Sequence, residues 1–313
     1  MPGGFTHFAL VRELGINITL MSIPGMTQEI ADALQLYSKY LELGAVSPDL
    51  PYLAPLSQNH VDWGNALHHE RTVETVRVGV RKLPSLRSKA RRDMAMAWLF
   101  GYASHVVADM ISHPVVTKKI GPYESHKEQH RLCELSQDTH IFRTYFQDTI
   151  SDCEYLDSGV KACTADGKPG FTLAPFLRDF WVKIIGEVYP GRPVPDPGWW
   201  FLQYVALIDK AAEDGHLIVP VIRGALIGDG LVYAAEPDMT YVTDLLSPYG
   251  RQISFDDLFT RFQEETKTVW GEMAKAITMN DAELITLRNG DLDTGIELAG
   301  TESVFWNQGR GLA

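Results

Sequence analysis

The sequence predicts an all-α fold, a bundle of many helices, on three observations. Apolar residues recur at helical spacing nearly throughout, no run of alternating apolar and polar residues marks a strand, and helix caps and stops punctuate the periodic stretches. The 313 residues, 45% hydrophobic and 22% charged, suit a folded chain with a large core, read as one domain over 1–313.

The elements follow in order. Residues 28–43 put Ile30, Ala33, Leu34, Tyr37, Tyr40 and Leu41 on one face, and Gly44 is expected to stop that helix. Residues 65–83 and 91–113 read as two helices joined by RKLPSLRSKARR, a charged run expected to be a solvated loop. The second of these begins with an almost wholly apolar stretch, Met94 to Phe100, and Pro114 is expected to close it. Further helices are predicted over 125–147, over 173–188 and along WWFLQYVALIDKAAED, with Trp199 and Trp200 expected to pack in the core rather than line a substrate cleft. SGVKACTADGKPG and GEVYPGRPVPDPG are turn-rich connections, the first long enough to form a lid. GALIGDG (224–230) lacks a strand–turn–helix context and reads as a loop. Near the end, Ser254 and Asp257 form a capping box ahead of Phe255, Leu258, Phe259, Phe262, Val269, Trp270 and Met273 at helical spacing.

Charge and targeting signals narrow the function. A formal net charge of −12 repels polyanions at long range and disfavours a nucleic-acid binder that works through a basic groove. The opening MPGGFTHFAL has no basic segment leading into an apolar run, so no secretory signal is expected. The longest apolar segment, Met94 to Ile111, carries His105 and Asp109. An Asp at a membrane midplane costs about 2.5–3.5 kcal/mol, which argues against a transmembrane segment. Cys133, Cys153 and Cys163 are odd in number and form no CxxC pair, as expected of a cytoplasmic protein rather than a disulfide framework.

The histidines point to a site. Nine of the ten lie in the first 140 residues. His105, Asp109 and His113 follow one another at four-residue spacing, as do His126, His130, Glu134 and Asp138. On a helix such residues are surface neighbours, each turned about 40° from the last, so each ladder faces a common space. Titratable groups on a buried face are costly unless something binds them. Imidazoles and carboxylates without a thiolate suit zinc in a catalytic rather than a structural site, and Cys133 is not needed. A di-iron bundle needs two Glu-x-x-His motifs, which the sequence does not supply, and HExxH, GxSxG and the phosphate-binding GxxxxGK[ST] are missing from it.

In this setting THFAL, ELGAVSPDLPYL, NALHHERT, GYASHVVADMISHP and HRLCELSQD, in that order over residues 1–145, resemble the zinc-dependent phospholipase C family. Its structural relatives are the single-strand-specific nucleases with three zinc ions. The resemblance implies an all-α fold around a cluster of two or three Zn2+. One ion would take Asp49, His68, His105 and Asp109, a second His113, His130 and Glu134, and a third His7 with Asp109 as a bridge. Asp49 would also be the general base. Only one of the adjacent His68 and His69 can face the cluster; the resemblance favours His68, with His69 as the alternative. His60 and Asp62 would either support the ligands or be loop residues. His126, on the same face but one turn early, would support the ligands or lie at the rim, and Asp138 would either orient a ligand imidazole or face solvent. His140 and His216 read as structural. The β-sandwich of the toxin members has no counterpart in residues 146–313, which read as helices and loops on the substrate side.

The activity so implied is a phosphoric ester hydrolase, nominally a phospholipase C-like phosphodiesterase. Metal ions would activate water for in-line attack on phosphorus in a phospholipid or small phosphate ester. The alternatives are a nuclease or nucleotide phosphoesterase with the same cluster, and a metal-binding module without catalysis.

Overall fold

The apolar run that begins at Met94 forms the axis of the molecule. In the computed structural model, which describes residues 3–53, 58–146, 159–213 and 236–306, it lies in a 32-residue helix, α7 (Lys89–Ile120). Among the described residues eleven α-helices account for the architecture, with two short strands beside them. Before α7 come α1 (Gly4–Leu14), α2 (Asn17–Ser22), α3 (Gln28–Leu36), α4 (Ser38–Val46), a 3-10 stretch (Ser47–Leu53), α5 (Gln58–His69) and α6 (Glu74–Lys82). After it come α8 (Lys127–Ile141), α9 (Pro175–Val188), α10 (Pro197–Glu213) and α11 (Phe255–Met279). Strands β1 (Leu245–Leu246) and β2 (Gln252–Ile253) pair antiparallel, with Leu245 opposite Ile253.

Helix α7 is long and apolar enough to cross a membrane, yet 94% of its most apolar window is buried inside the protein, as befits a core helix. It packs on α4 and α11 above all, and also touches α1, α3, α6, α8 and α9. Three tryptophans tie the core to this region. Trp98 donates to the Ser47 hydroxyl (2.8 Å), Trp270 to the Phe100 carbonyl (3.1 Å) and Trp306 to the Ile111 carbonyl (2.9 Å). Burying a tryptophan removes a large apolar area from water while its N–H still needs an acceptor, and each of these has one.

Several boundaries differ from the sequence expectation. Gly44 does not stop a helix. It lies inside α4, where a Cβ would stand 2.0 Å from the Trp98 carbonyl oxygen, and on the facing helix a Cβ at Gly101 would stand 1.9 Å from that of Leu41. The two glycines let α4 and α7 touch backbone to backbone. The helix read over 28–43 is instead broken at Tyr37. Residues 65–83 divide into α5 and α6 around a turn in which Arg71 has φ 49°. Pro114 does not close α7, which runs on to Ile120. It removes only the N–H that the Met110 carbonyl would have received. The last part of 125–147 continues α8 as a π-type turn over Phe142–Phe146.

The capping box is present: Asp257 N–H donates to the Ser254 hydroxyl, and the Asp257 carboxylate accepts from Ser254 N–H. Trp200 is buried against Trp181, whereas Trp199 is exposed. The loop from Gly159 onward is pinned to α4, Lys39 Nζ donating to the carbonyls of Ala162 and Gly167. GALIGDG, His216 and Cys153 lie outside the described residues.

Candidate metal centre

Gly3, the residue just before α1, has no side chain to cap that helix. The cap comes from α8 instead. Asp138 accepts from Phe5 N–H (3.1 Å), Thr6 N–H (2.9 Å) and the Thr6 hydroxyl (2.7 Å), placing a buried carboxylate on the positive end of the α1 dipole. Asp138 is therefore buried rather than facing solvent, and it holds the helix that carries His7.

Four imidazoles converge on Asp109, which α7 buries completely. His7 Nε2 lies 3.3 Å from Oδ1 of Asp109. On Oδ2, His105 Nε2 lies at 3.3 Å, His113 Nε2 at 3.5 Å and His68 Nε2 at 3.9 Å. Asp49, from the 3-10 stretch, has its Oδ1 3.0 Å from His68 Nε2 and 3.8 Å from His105 Nε2. The rings of His7 and His105 stack at 4.3 Å. Two overlapping triads, His7–His105–Asp109 and Asp49–His68–His105, each bring their donor atoms within 4.8 Å of one another.

The outer nitrogens show how these rings are aimed. His68 Nδ1 donates to the Gly64 carbonyl (2.8 Å), His105 Nδ1 to the Ala45 carbonyl (2.9 Å) and His113 Nδ1 to the Asp293 carboxylate (3.0 Å). Each bond leaves Nε2 pointing inward, the arrangement that orients metal-binding histidines. The inner atoms are left over. Both Asp109 carboxylate oxygens, both His7 nitrogens and Nε2 of His105 and His113 are buried without a hydrogen-bond partner. Buried polar atoms in folded proteins are nearly always paired, so this many orphans in one place fits a set of donors for a cation.

Electrostatics agree. Burial tends to lower the His105 pKa, but the charges of Asp109 and Asp49 outweigh it and hold the ring at about 9. Without a metal this proton is what balances the two carboxylates. Burial would raise both acids, yet the neighbouring His105 holds Asp109 well below the usual carboxylate range and Asp49 below it. Burial lowers His7, and it lowers His113 as well.

His113 also opens onto a cleft of about 320 Å³ that it shares with Tyr123, His130, Glu134, Asp293 and Thr294. His130 donates through Nε2 to the Gly121 carbonyl (2.8 Å), so its Nδ1 is the nitrogen left to bind. Burial lowers its pKa to about 4, keeping the ring neutral, and burial raises that of Glu134. Burial also pushes the Cys133 thiol up to about 12, so it stays protonated.

The remaining expected residues lie elsewhere. His69 turns away from Asp109 and donates to Asp291 (2.8 Å). His60 accepts from the Trp200 indole N–H (3.0 Å), and Asp62 is exposed on α5. His126 precedes α8 rather than sharing its face, and donates to the Pro122 carbonyl (3.1 Å). His140 pairs with Asp256 (2.8 Å). Sequence reasoning missed Asp291 and Asp293. The DLDTG in which they sit is not a metal-ligand motif, and nothing local tied it to His113 and His69, 180 and 222 positions earlier.

A family model described as zinc dependent phospholipase C matches residues 6–181, more than half of the chain. No curated protein and no solved structure matches.

Proposed function

The chain belongs to the zinc dependent phospholipase C family, and from that premise we propose that it hydrolyses phosphoric diesters, phospholipid head-group esters first among them, with two or three zinc ions. One observation carries the reading: a fully buried carboxylate, Asp109, without a hydrogen bond of its own and ringed by four imidazoles.

Asp49, His68, His105 and Asp109 would hold one ion, and His113, His130 and Glu134 a second. His7 would hold a third, with Asp109 shared. Supporting this are the two compact triads and the cleft that His113, His130 and Glu134 all line. Zinc held there supplies positive charge against the phosphate oxygens and makes water acidic enough to ionise near neutral pH. The chain's own residues do the rest. Asp49 faces the same space as His68 and His105, and a carboxylate that holds the ion through one oxygen would keep the other to take the proton of the attacking water. The carbonyls of Gly64 and Ala45 keep His68 and His105 from rotating away. The cleft beside His113 is where the ester would enter. The reading takes 1–313 as one domain, supported by an apolar core that runs from Phe5 to Trp306.

The test is elemental analysis of the purified chain together with hydrolysis of a chromogenic phosphodiester. Two or three zinc ions per chain, with turnover lost on chelation and regained on adding zinc, are expected. One ion or none, without turnover, overturns the reading.

A further inference from the structure

We propose that Asp293 is a positioning residue for His113, presented by a C-terminal loop that lies far outside the segment matched to the family. The inference rests on the metal reading above and extends it to residues which that reading does not use. Asp293 Oδ1 accepts from His113 Nδ1 at 3.0 Å. With the proton fixed on Nδ1, Nε2 is bare and faces Asp109 at 3.5 Å. His68 and His105 are steadied by backbone carbonyls, whereas His113 is steadied by a carboxylate. A carboxylate both fixes the ring and makes it a more basic ligand.

Asp293 is itself held. Its Oδ2 lies 3.7 Å from His69 Nε2, and His69 Nδ1 donates to Asp291 Oδ2 at 2.8 Å. Asp291 Oδ1 accepts from Asp293 N–H (3.0 Å), Thr294 N–H (2.9 Å) and the Thr294 hydroxyl (3.1 Å), which sets the turn. The loop is fastened next to the ligands by Leu292 N–H, which donates to the His68 carbonyl at 2.9 Å. It lies flat on α7 because Gly295, at φ 64°, has no Cβ; one there would stand 2.4 Å from the Met110 carbonyl oxygen. That carbonyl is the one that Pro114 leaves without a helical donor. Pro114 and Gly295 together thus make the seat on which Asp293 reaches His113. Asp293 and Thr294 also line the cleft, so the same loop forms part of its wall.

The experiment compares the full-length wild type with Asp293→Ala and Asp293→Asn, each first shown to keep its helical circular dichroism. Zinc affinity is measured by competition with a chromogenic chelator. The His113 tautomer is read from long-range proton–nitrogen spectra of the metal-free chain. Asp293→Ala is expected to weaken one zinc site by about 10–100-fold and to lose the fixed Nδ1–H signature. Asp293→Asn, whose amide oxygen still accepts from Nδ1, is expected to keep the signature and lose less affinity. A His113 spectrum unchanged in Asp293→Ala, or every zinc site within about twofold of wild type, overturns the proposal. Failure of the wild type to take up zinc would sink the metal reading alone, because the metal-free spectrum would still decide the orientation of His113.

Discussion

Asp109 is the residue on which the site turns, since each of its oxygens faces at least one imidazole and neither has a hydrogen bond. Replacing it with Asn keeps the shape and removes the charge. Supporting residues alone are worth about 10–100-fold in metal affinity or activity. Asp109→Asn is therefore expected to cost at least one zinc ion per chain and more than about 100-fold in turnover, checked by elemental analysis and rate. His105 makes a pH prediction. Its pKa in the metal-free fold, about 9, is raised from the ordinary 6.5. A raised folded-state pKa means that the stabilisation is fully present below about pH 6.5 and is lost as pH rises through 9. Zinc needs the neutral ring, so its binding strengthens over the same interval. The thermal midpoint of the metal-free chain is expected to fall from pH 6.5 to 9 while that of the zinc-loaded chain does not; parallel curves would contradict this. At this scale the ladder residues were legible because one helix sets their spacing: His105, Asp109 and His113 had to face one space whatever the rest of the chain did. Asp293 was not legible, because its partner His113 is 180 residues away.

Among the elements, α4 and α7 are joined through Gly44 and Gly101, and either glycine replaced by alanine pushes a methyl group into a backbone carbonyl. Overpacking of this kind costs about 1–3 kcal/mol or more. Gly44→Ala is expected to lower the thermal midpoint by several degrees and to weaken zinc binding too, because α4 supplies the Ala45 carbonyl that aims His105. A variant as stable as wild type would show that the two helices are not in backbone contact. The cap on α1 is a second case. Asp138→Ala leaves the first turn of that helix without its acceptors, a loss of about 0.5–2 kcal/mol for a cap. The loss is expected to show in thermal melts, with zinc at the His7 position weakened most. Helix existence was readable from periodicity, and the ends of helices were not. Gly44 and Pro114 are both punctuation by local rules, and both are overridden by what packs on them: another helix in one case, the loop around Gly295 in the other. Asp138 was visible on the ladder face, but that it caps a helix more than 130 residues earlier depends on the tertiary fold alone.

For the whole molecule, the proposed site draws on parts that are distant in the chain: α1, the 3-10 stretch, α5 and α7 in the two triads, with α8 and the loop at 291–295 along the cleft. A ligand that binds only the folded state stabilises it by about 4 kcal/mol at a thousandfold excess over its Kd. In a chain of 313 residues about 1 kcal/mol moves the midpoint by roughly 1.5 °C. Chelation is thus expected to lower the melting temperature by about 6 °C, reversibly on adding zinc; a shift of under a degree would mean that the centre contributes little to the fold. The all-α architecture and the buried axis were legible from composition and period, while the closure of the C-terminal segment onto that axis was not. That closure has a consequence for how the protein is made. A ribosome adding about 5–20 residues per second needs roughly 10–30 s to pass from Glu134 to Asp293. Throughout that interval the nascent chain already carries every proposed ligand, but not the carboxylate that orients His113. Metal delivered early meets an unfinished cage, and the final zinc affinity is reached only when the last loop has been synthesised and has docked.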